Sequence, residues 1–134
     1  MKVFVDANVF VRFFTRDDQR QHEKAERLLQ QAAAGRVRLV SGPPVLFETA
    51  WTLRSAYKVS PAKVLEVVEA IAGFPGLSLT DADLVTEALS LARASGVEFA
   101  DAYIAASAQA VGADGVATFN IKDFDRMDIA THPL

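Results

Sequence analysis

No cysteine occurs in the 134-residue chain. Neither a disulfide framework nor a thiolate metal site is therefore available, and the absence fits a reducing interior. Histidine is almost as scarce. His22 and His132 lie near opposite ends of the sequence and neither belongs to a ligand-spaced motif, which sets a zinc site aside. Long apolar runs are missing too. The opening "MKVFVDANVFVRFF" has a lysine and an apolar tone, but Asp6 and Arg12 interrupt it and no small-residue cleavage site follows, so it reads as folded protein and not as a signal peptide. The longest uncharged stretch, between Asp101 and Asp114, is shorter than the ~20 residues of a membrane span and contains Ser107 and Gln109. A soluble, cytoplasmic protein without membrane attachment is expected. Nor is there an excess of positive charge. Fourteen basic against 17 acidic residues leave a net charge of −3, which argues against avid nonspecific coating of nucleic acid but leaves room for a local basic rim. No repeat or low-complexity linker divides the chain. With 51% hydrophobic residues it can bury a continuous core, so one domain spanning residues 1–134 is expected.

What is present alternates in pattern. "KVFV" is a short, β-favouring apolar run that reads as a buried strand, and "RLVS", "LSLT" and "GVATF" read the same way. Between them the spacing turns helical. One helix is predicted from Asn8, with Asn as its cap, and a second carries Ala25, Leu28, Leu29 and Ala32 on one face and closes at Gly35. Pro43 or Pro44 starts a third, containing Leu46, Ala50, Leu53 and Tyr57. Ser60–Pro61 opens a fourth, with Val64, Val68 and Ile71 inside, and "GFPG" ends it. Thr80 or Asp81 caps a fifth, with Val85, Ala88, Leu89 and Ala92 inside; the helix holding Asp101 follows, and "DFDRM" is long enough for one helical turn. Strands alternating with helices predict an α/β protein, a parallel sheet covered by helices on both sides. In such sheets functional groups gather at the carboxyl ends of the strands, where Asp6 lies.

Most acids, such as Asp17, Asp18, Glu23 and Glu26, stand in solvated stretches, but three do not. Asp6 follows "VFV" directly, Glu48 sits in "PPVLFETAWTL", and Asp101 is the one charge in "FADAYIAASAQAVGA". Each has an ordinary explanation: a helix cap, an exposed helical position, an acid favoured by the positive end of a helix dipole. Taken together they suggest a cleft. Two carboxylates about 4 Å apart repel by about 4 kcal/mol at an effective dielectric near 20, and a hard divalent ion removes that penalty. Oxygen-only ligands favour Mg²⁺ or Mn²⁺ over zinc. That is an arrangement suited to phosphodiester hydrolysis.

"VFVDANVF", "PPVLFETAWTL", "FADAYIAASA" and "GVATFNIKDF", in this order and over nearly the whole chain, resemble the PIN-domain ribonucleases, in particular the toxins of VapBC toxin–antitoxin pairs. The resemblance implies a three-layer α/β/α sandwich around a mainly parallel central sheet and a metal-dependent endoribonuclease. Carried over position by position, Asp6, Glu48 and Asp101 match the family's acidic metal cluster. The fourth acid is assigned to Asp123, with Asn8, Thr118 and Asn120 supporting it; Asn120 itself and Glu98, one turn before Asp101, are rivals for that place. Arg12, Arg54 and Lys122 are candidates for a phosphate-binding rim. The resemblance further implies a homodimer, an RNA substrate and a small VapB-type antitoxin able to place a guanidinium among the acids. Two other readings stay open at this point: a haloacid-dehalogenase-like phosphatase with Asp6 as nucleophile, and a non-catalytic PIN-like binding module.

Overall fold

The apolar run at the start of the chain forms strand β1 (Lys2–Phe4), which pairs in parallel with β2 (Arg38–Ser41); β2 pairs in parallel with β3 (Leu77–Leu79). These are elements of a computed structural model that describes residues 1–134 and divides into two units, Met1–Ala82 and Asp83–Leu134. In the first unit the strand order is β1-β2-β3, and Leu39 stands opposite both Val3 and Leu77. Parallel neighbours need long crossovers, and helices supply them. Helices α1 (Ala7–Phe14) and α2 (Gln19–Ala33) lead from β1 to β2, while α3 (Pro43–Ser55) and α4 (Pro61–Ala72) lead from β2 to β3.

The helix boundaries follow local chemistry. Asp6, not Asn8, caps α1: its Oδ1 accepts the Ala7 N–H at 2.7 Å. Asp18 caps α2 and Ser60 caps α4, and Pro43 and Pro61 occupy first-turn positions where their missing N–H has no cost. Gly76 needs its φ of +83°, and a Cβ there would collide with the Ala32 carbonyl oxygen. Tyr57 departs from expectation. It lies beyond the end of α3, where Lys58 takes a φ of +56° and the helix cannot continue.

The core of the first unit is drawn from one face of each helix. Phe10 and Val11 from α1, Leu46 and Leu53 from α3, and Val64, Val68 and Ile71 from α4 are buried together with Leu39 of β2. On α2 the buried set is His22, Ala25, Leu29 and Ala32, with Leu28 only half-buried. A histidine inside was not foreseen. Its Nδ1 lies 2.9 Å from the Arg12 carbonyl oxygen, its Nε2 lies 3.6 Å from Glu26 Oε2, and its ring stacks on Phe13 with centroids 6.2 Å apart, so it packs as an aromatic with one hydrogen bond to the backbone.

The second unit contains α5 (Ala82–Ser95), α6 (Phe99–Ala110), β4 (Val116–Ala117), α7 (Ile121–Arg126) and β5 (Thr131–His132). Strand β4 pairs in parallel with β5, joined by the crossover through α7. The sequence pattern had placed a strand through Phe119, but it stops at Ala117. It had missed β5, because two residues, Thr131 and His132, carry no apolar run to read. Val85, Ala88 and Ala92 of α5, Ala102, Ala105 and Ala106 of α6 and Phe124 of α7 are buried; of the face the periodicity predicted for α5, Leu89 is only half-buried. No helix is long and apolar enough to cross a membrane.

Candidate active site

In the first unit the sequence-predicted residues lie at the carboxyl end of β1 and along the two helices that follow the strand ends. Asp6 is exposed where β1 turns into α1, and the cap to Ala7 uses only one of its two carboxylate oxygens. A cleft of about 260 Å³ is lined by Asn8, Val11 and Arg12 of α1, by Glu48 and Thr52 of α3 and by Tyr57. The spacing explains this lining. Residues three and four apart share a helical face, so Asn8, Val11 and Arg12 look into the same space as Glu48 and Thr52. The Glu48 carboxylate is exposed, and Asp6 is not among the lining residues.

Arg12 is held by partners that sequence reading had missed. Its Nε donates to Gln21 Oε1 at 2.7 Å, and its Nη1 donates to Asp17 Oδ1 at 3.1 Å and to the Tyr57 hydroxyl at 3.2 Å. The Tyr57 hydroxyl in turn donates to Asp17 Oδ2 at 2.7 Å. This network ties α1, the loop after it, the start of α2 and the segment after α3 together, and two of its members, Arg12 and Tyr57, line the cleft. The Tyr57 hydrogen bond first, then a hydrogen bond from Thr15 and the Arg12 charge, outweigh desolvation and hold the Asp17 carboxyl below the ordinary aspartate value of 3.8. A lowered carboxyl contributes stability above its unfolded pKa and loses it as pH falls through its folded pKa. Tyr57→Phe is therefore expected to move the Asp17 titration back up toward 3.8, and the pH-dependent part of the stability difference from wild type is expected to vanish in acid. Carboxyl NMR titration and urea midpoints across that range check both. Arg54 is half-buried and donates to the Val59 carbonyl at 3.2 Å.

In the second unit Asp101 sits half-buried in the first turn of α6, with Glu98 at the capping position and making no side-chain cap bond. A helix N-terminus favours a negative charge by about 0.3–1 kcal/mol. Here the opposing effects win. Burial first, then the charges of Asp123 and Glu98, push the Asp101 carboxyl above its ordinary value. Asp123 is half-buried in the first turn of α7: its Oδ2 accepts from Asn120 Nδ2 at 2.8 Å and its Oδ1 lies 3.7 Å from Arg126 Nη1. Asn120 is itself oriented, since its backbone N–H donates to Thr118 Oγ1 at 2.9 Å. Arg126 is anchored by a 2.8 Å bond from Nη2 to the Ser95 carbonyl. Its place beside Asp123 was open to sequence reading, because the two are three residues apart on a helix. Lys122, the residue before Asp123, is exposed.

Within neither unit do three or more Asp, Glu or His side chains gather closely enough to hold a metal ion by themselves. In the second unit, then, the charges of Asp123 and Glu98 bear on the Asp101 carboxyl without the three forming a ligand cage. An oxygen-only donor set with an excess of negative charge fits a hard divalent cation, which would offset the charges of Asp123 and Glu98 that add to burial in raising the Asp101 carboxyl.

A family model described as PIN domain matches residues 3–130. Among solved structures, VapC20 from Mycobacterium tuberculosis, described as a Sarcin-Ricin loop cleaving toxin, is 23% identical, with a TM-score of 0.43 over 98% of this chain and 99% of that one. No curated protein matches the sequence.

Proposed function

The chain belongs to the PIN-domain family, and from that premise we propose that it is a Mg²⁺-dependent endoribonuclease hydrolysing RNA phosphodiester bonds, the toxin of a type II toxin–antitoxin pair. The observation that carries the reading is Asp101, half-buried in the first turn of α6, whose carboxyl is raised by burial first and then by the charges of Asp123 and Glu98. Family membership leaves no place for the haloacid-dehalogenase alternative, in which Asp6 would be a nucleophile.

Asp6, Glu48, Asp101 and Asp123 are the proposed metal ligands, with Glu98 as rival for the fourth place. When bound, Mg²⁺, or Mn²⁺ in its stead, supplies Lewis acidity toward a phosphoryl oxygen and compensates developing charge. The remaining work falls to the chain. Asn120 orients Asp123 through the 2.8 Å bond, and Thr118 fixes Asn120 in turn. Asp6 keeps one carboxylate oxygen beyond its cap, so helix capping and ligation do not compete for the same atom. Lys122 offers an exposed ammonium to a phosphate. Arg12 and Arg54 have protein partners already and would meet phosphate with what those partners leave over. The proposal extends to a homodimer in the cytoplasm held inactive by a small VapB-type antitoxin, whose guanidinium would take the cation's place among the acids.

The test uses purified protein stripped of any partner, given structured and unstructured RNA with Mg²⁺, with EDTA, and with EDTA followed by excess Mg²⁺. Cleavage is expected in the first and third cases and not in the second. Melts of the protein alone are expected to move upward with Mg²⁺, by about 2.7 kcal/mol of stabilisation at a hundred times the dissociation constant. A protein that neither cuts RNA nor gains stability from the ion would be the non-catalytic binding module.

A further inference from the structure

Ser41 is the last residue of β2 and is fully buried, in a place where a parallel strand ordinarily carries an apolar side chain. A buried hydroxyl is costly unless it is bonded. This one is: its Oγ donates to the Val5 carbonyl oxygen at 3.0 Å. Val5 follows the last paired residues of β1 and β2, Phe4 and Val40, and its N–H donates to the Val40 carbonyl at 2.8 Å. Both backbone polar groups of Val5 are therefore committed. The Ser41 carbonyl accepts the Thr80 N–H at 3.0 Å on the other side, so a single residue joins the carboxyl ends of all three strands.

The Val5 carbonyl and the Asp6 N–H belong to one planar peptide group. Holding that carbonyl fixes the plane from which Asp6 departs, and the Ala7 N–H holds the Asp6 carboxylate a second time, at Oδ1. We infer that Ser41 is a positioning residue: its hydroxyl, acting through the Val5–Asp6 peptide, aims the Asp6 carboxylate at a divalent cation. The inference rests on Asp6 being a metal ligand of the proposed ribonuclease, and it adds a residue whose own side chain is sealed from solvent. Small displacements matter, because a site works only within about 0.5 Å of its productive geometry. Mg²⁺ demands near-octahedral ligands, whereas Ca²⁺ accepts irregular ones. Loss of aim should therefore weaken Mg²⁺ more than Ca²⁺, and a mere loss of stability should not tell the two ions apart.

The experiment compares wild type, Ser41→Ala, Ser41→Cys and a core control, Val64→Ala, each purified free of any partner. Dissociation constants for Mg²⁺ and Ca²⁺ come from the rise of the melting midpoint with ion concentration, and kcat and KM from Mg²⁺-dependent cleavage of an oligoribonucleotide pool. Ser41→Ala is expected to raise the Mg²⁺ constant about 10-fold, the lower end of the loss on removing an outer partner of a metal ligand. The Ca²⁺ constant should rise less, and kcat at limiting Mg²⁺ should fall with little change in KM for RNA. Ser41→Cys, a weaker donor, should lie between alanine and wild type. Val64→Ala, at another buried position, should melt lower with both ion constants unchanged. If wild type responds to Mg²⁺ and Ser41→Ala keeps its Mg²⁺ constant, or loses Mg²⁺ and Ca²⁺ alike, the positioning role is wrong and the nuclease reading stands. Should Ser41→Ala not fold, Ser41→Cys decides by the same criterion; if neither folds, Ser41 serves the fold alone and the inference is overturned. If wild type neither responds to Mg²⁺ nor cuts RNA, the nuclease reading fails and the inference goes with it.

Discussion

Asp101→Asn is expected to lower RNA cleavage by at least about 100-fold, since even outer partners of a metal site cost 10–100-fold when removed. The same change is expected to stabilise the folded protein at neutral pH. The sign comes from the carboxyl itself: burial, then Asp123 and Glu98, raise its pKa in the folded state above 3.8. Below that value the group is protonated folded and unfolded alike, and there is no penalty. As pH rises from the unfolded pKa through the folded one, the folded protein holds the proton longer and stability falls. The amide of the variant never carries the charge. Its advantage should therefore be absent in acid, grow through the carboxylate range and stay level at neutral pH. Added Mg²⁺ should narrow the gap by stabilising wild type more. Urea midpoints against pH, with and without Mg²⁺, together with cleavage rates, decide the matter; a variant that still cuts, or one no more stable than wild type at neutral pH, would remove Asp101 from the metal site.

Phe10→Ala is expected to cost about 3–5 kcal/mol, the range for deleting a buried aromatic ring. Phe10 is 1% exposed, on the inner face of the helix whose outer residues, Asn8 and Arg12, line the cleft. The loss is large against a total stability of about 5–15 kcal/mol for a domain. It should appear as a lower urea midpoint with an unchanged slope. Phe4→Ala, at a position 60% exposed, is the control and should stay within about 0.5 kcal/mol of wild type. Equal effects of the two substitutions would mean that Phe10 is not in the core.

The sequence alone determined the order of the helices and of the first four strands, the parallel α/β class, the ends set by Pro43, Ser60–Pro61, Gly35 and Gly73, and the placing of Asp101 in the first turn of a helix. These are short-range matters. A cap, a proline or a helical stripe is settled by residues a few positions apart, and the sequence states those directly. Other features were decided by tertiary structure. Tyr57 belongs to Asp17, 40 positions away, and to Arg12, 45 away, which no local pattern can announce. His22 is buried because the start of α2 packs against α1, where Arg12 offers a carbonyl oxygen to its ring. Strand β5 exists because β4 pairs with it, not because Thr131 and His132 favour it. Phe119 looked like the end of a strand and stands in water, because the hydrogen bonds of Thr118 and Asn120 turn the chain there. Side chains meet across sequence distance only after the backbone has packed, and packing is a property of the whole set of contacts, not of any stretch of residues.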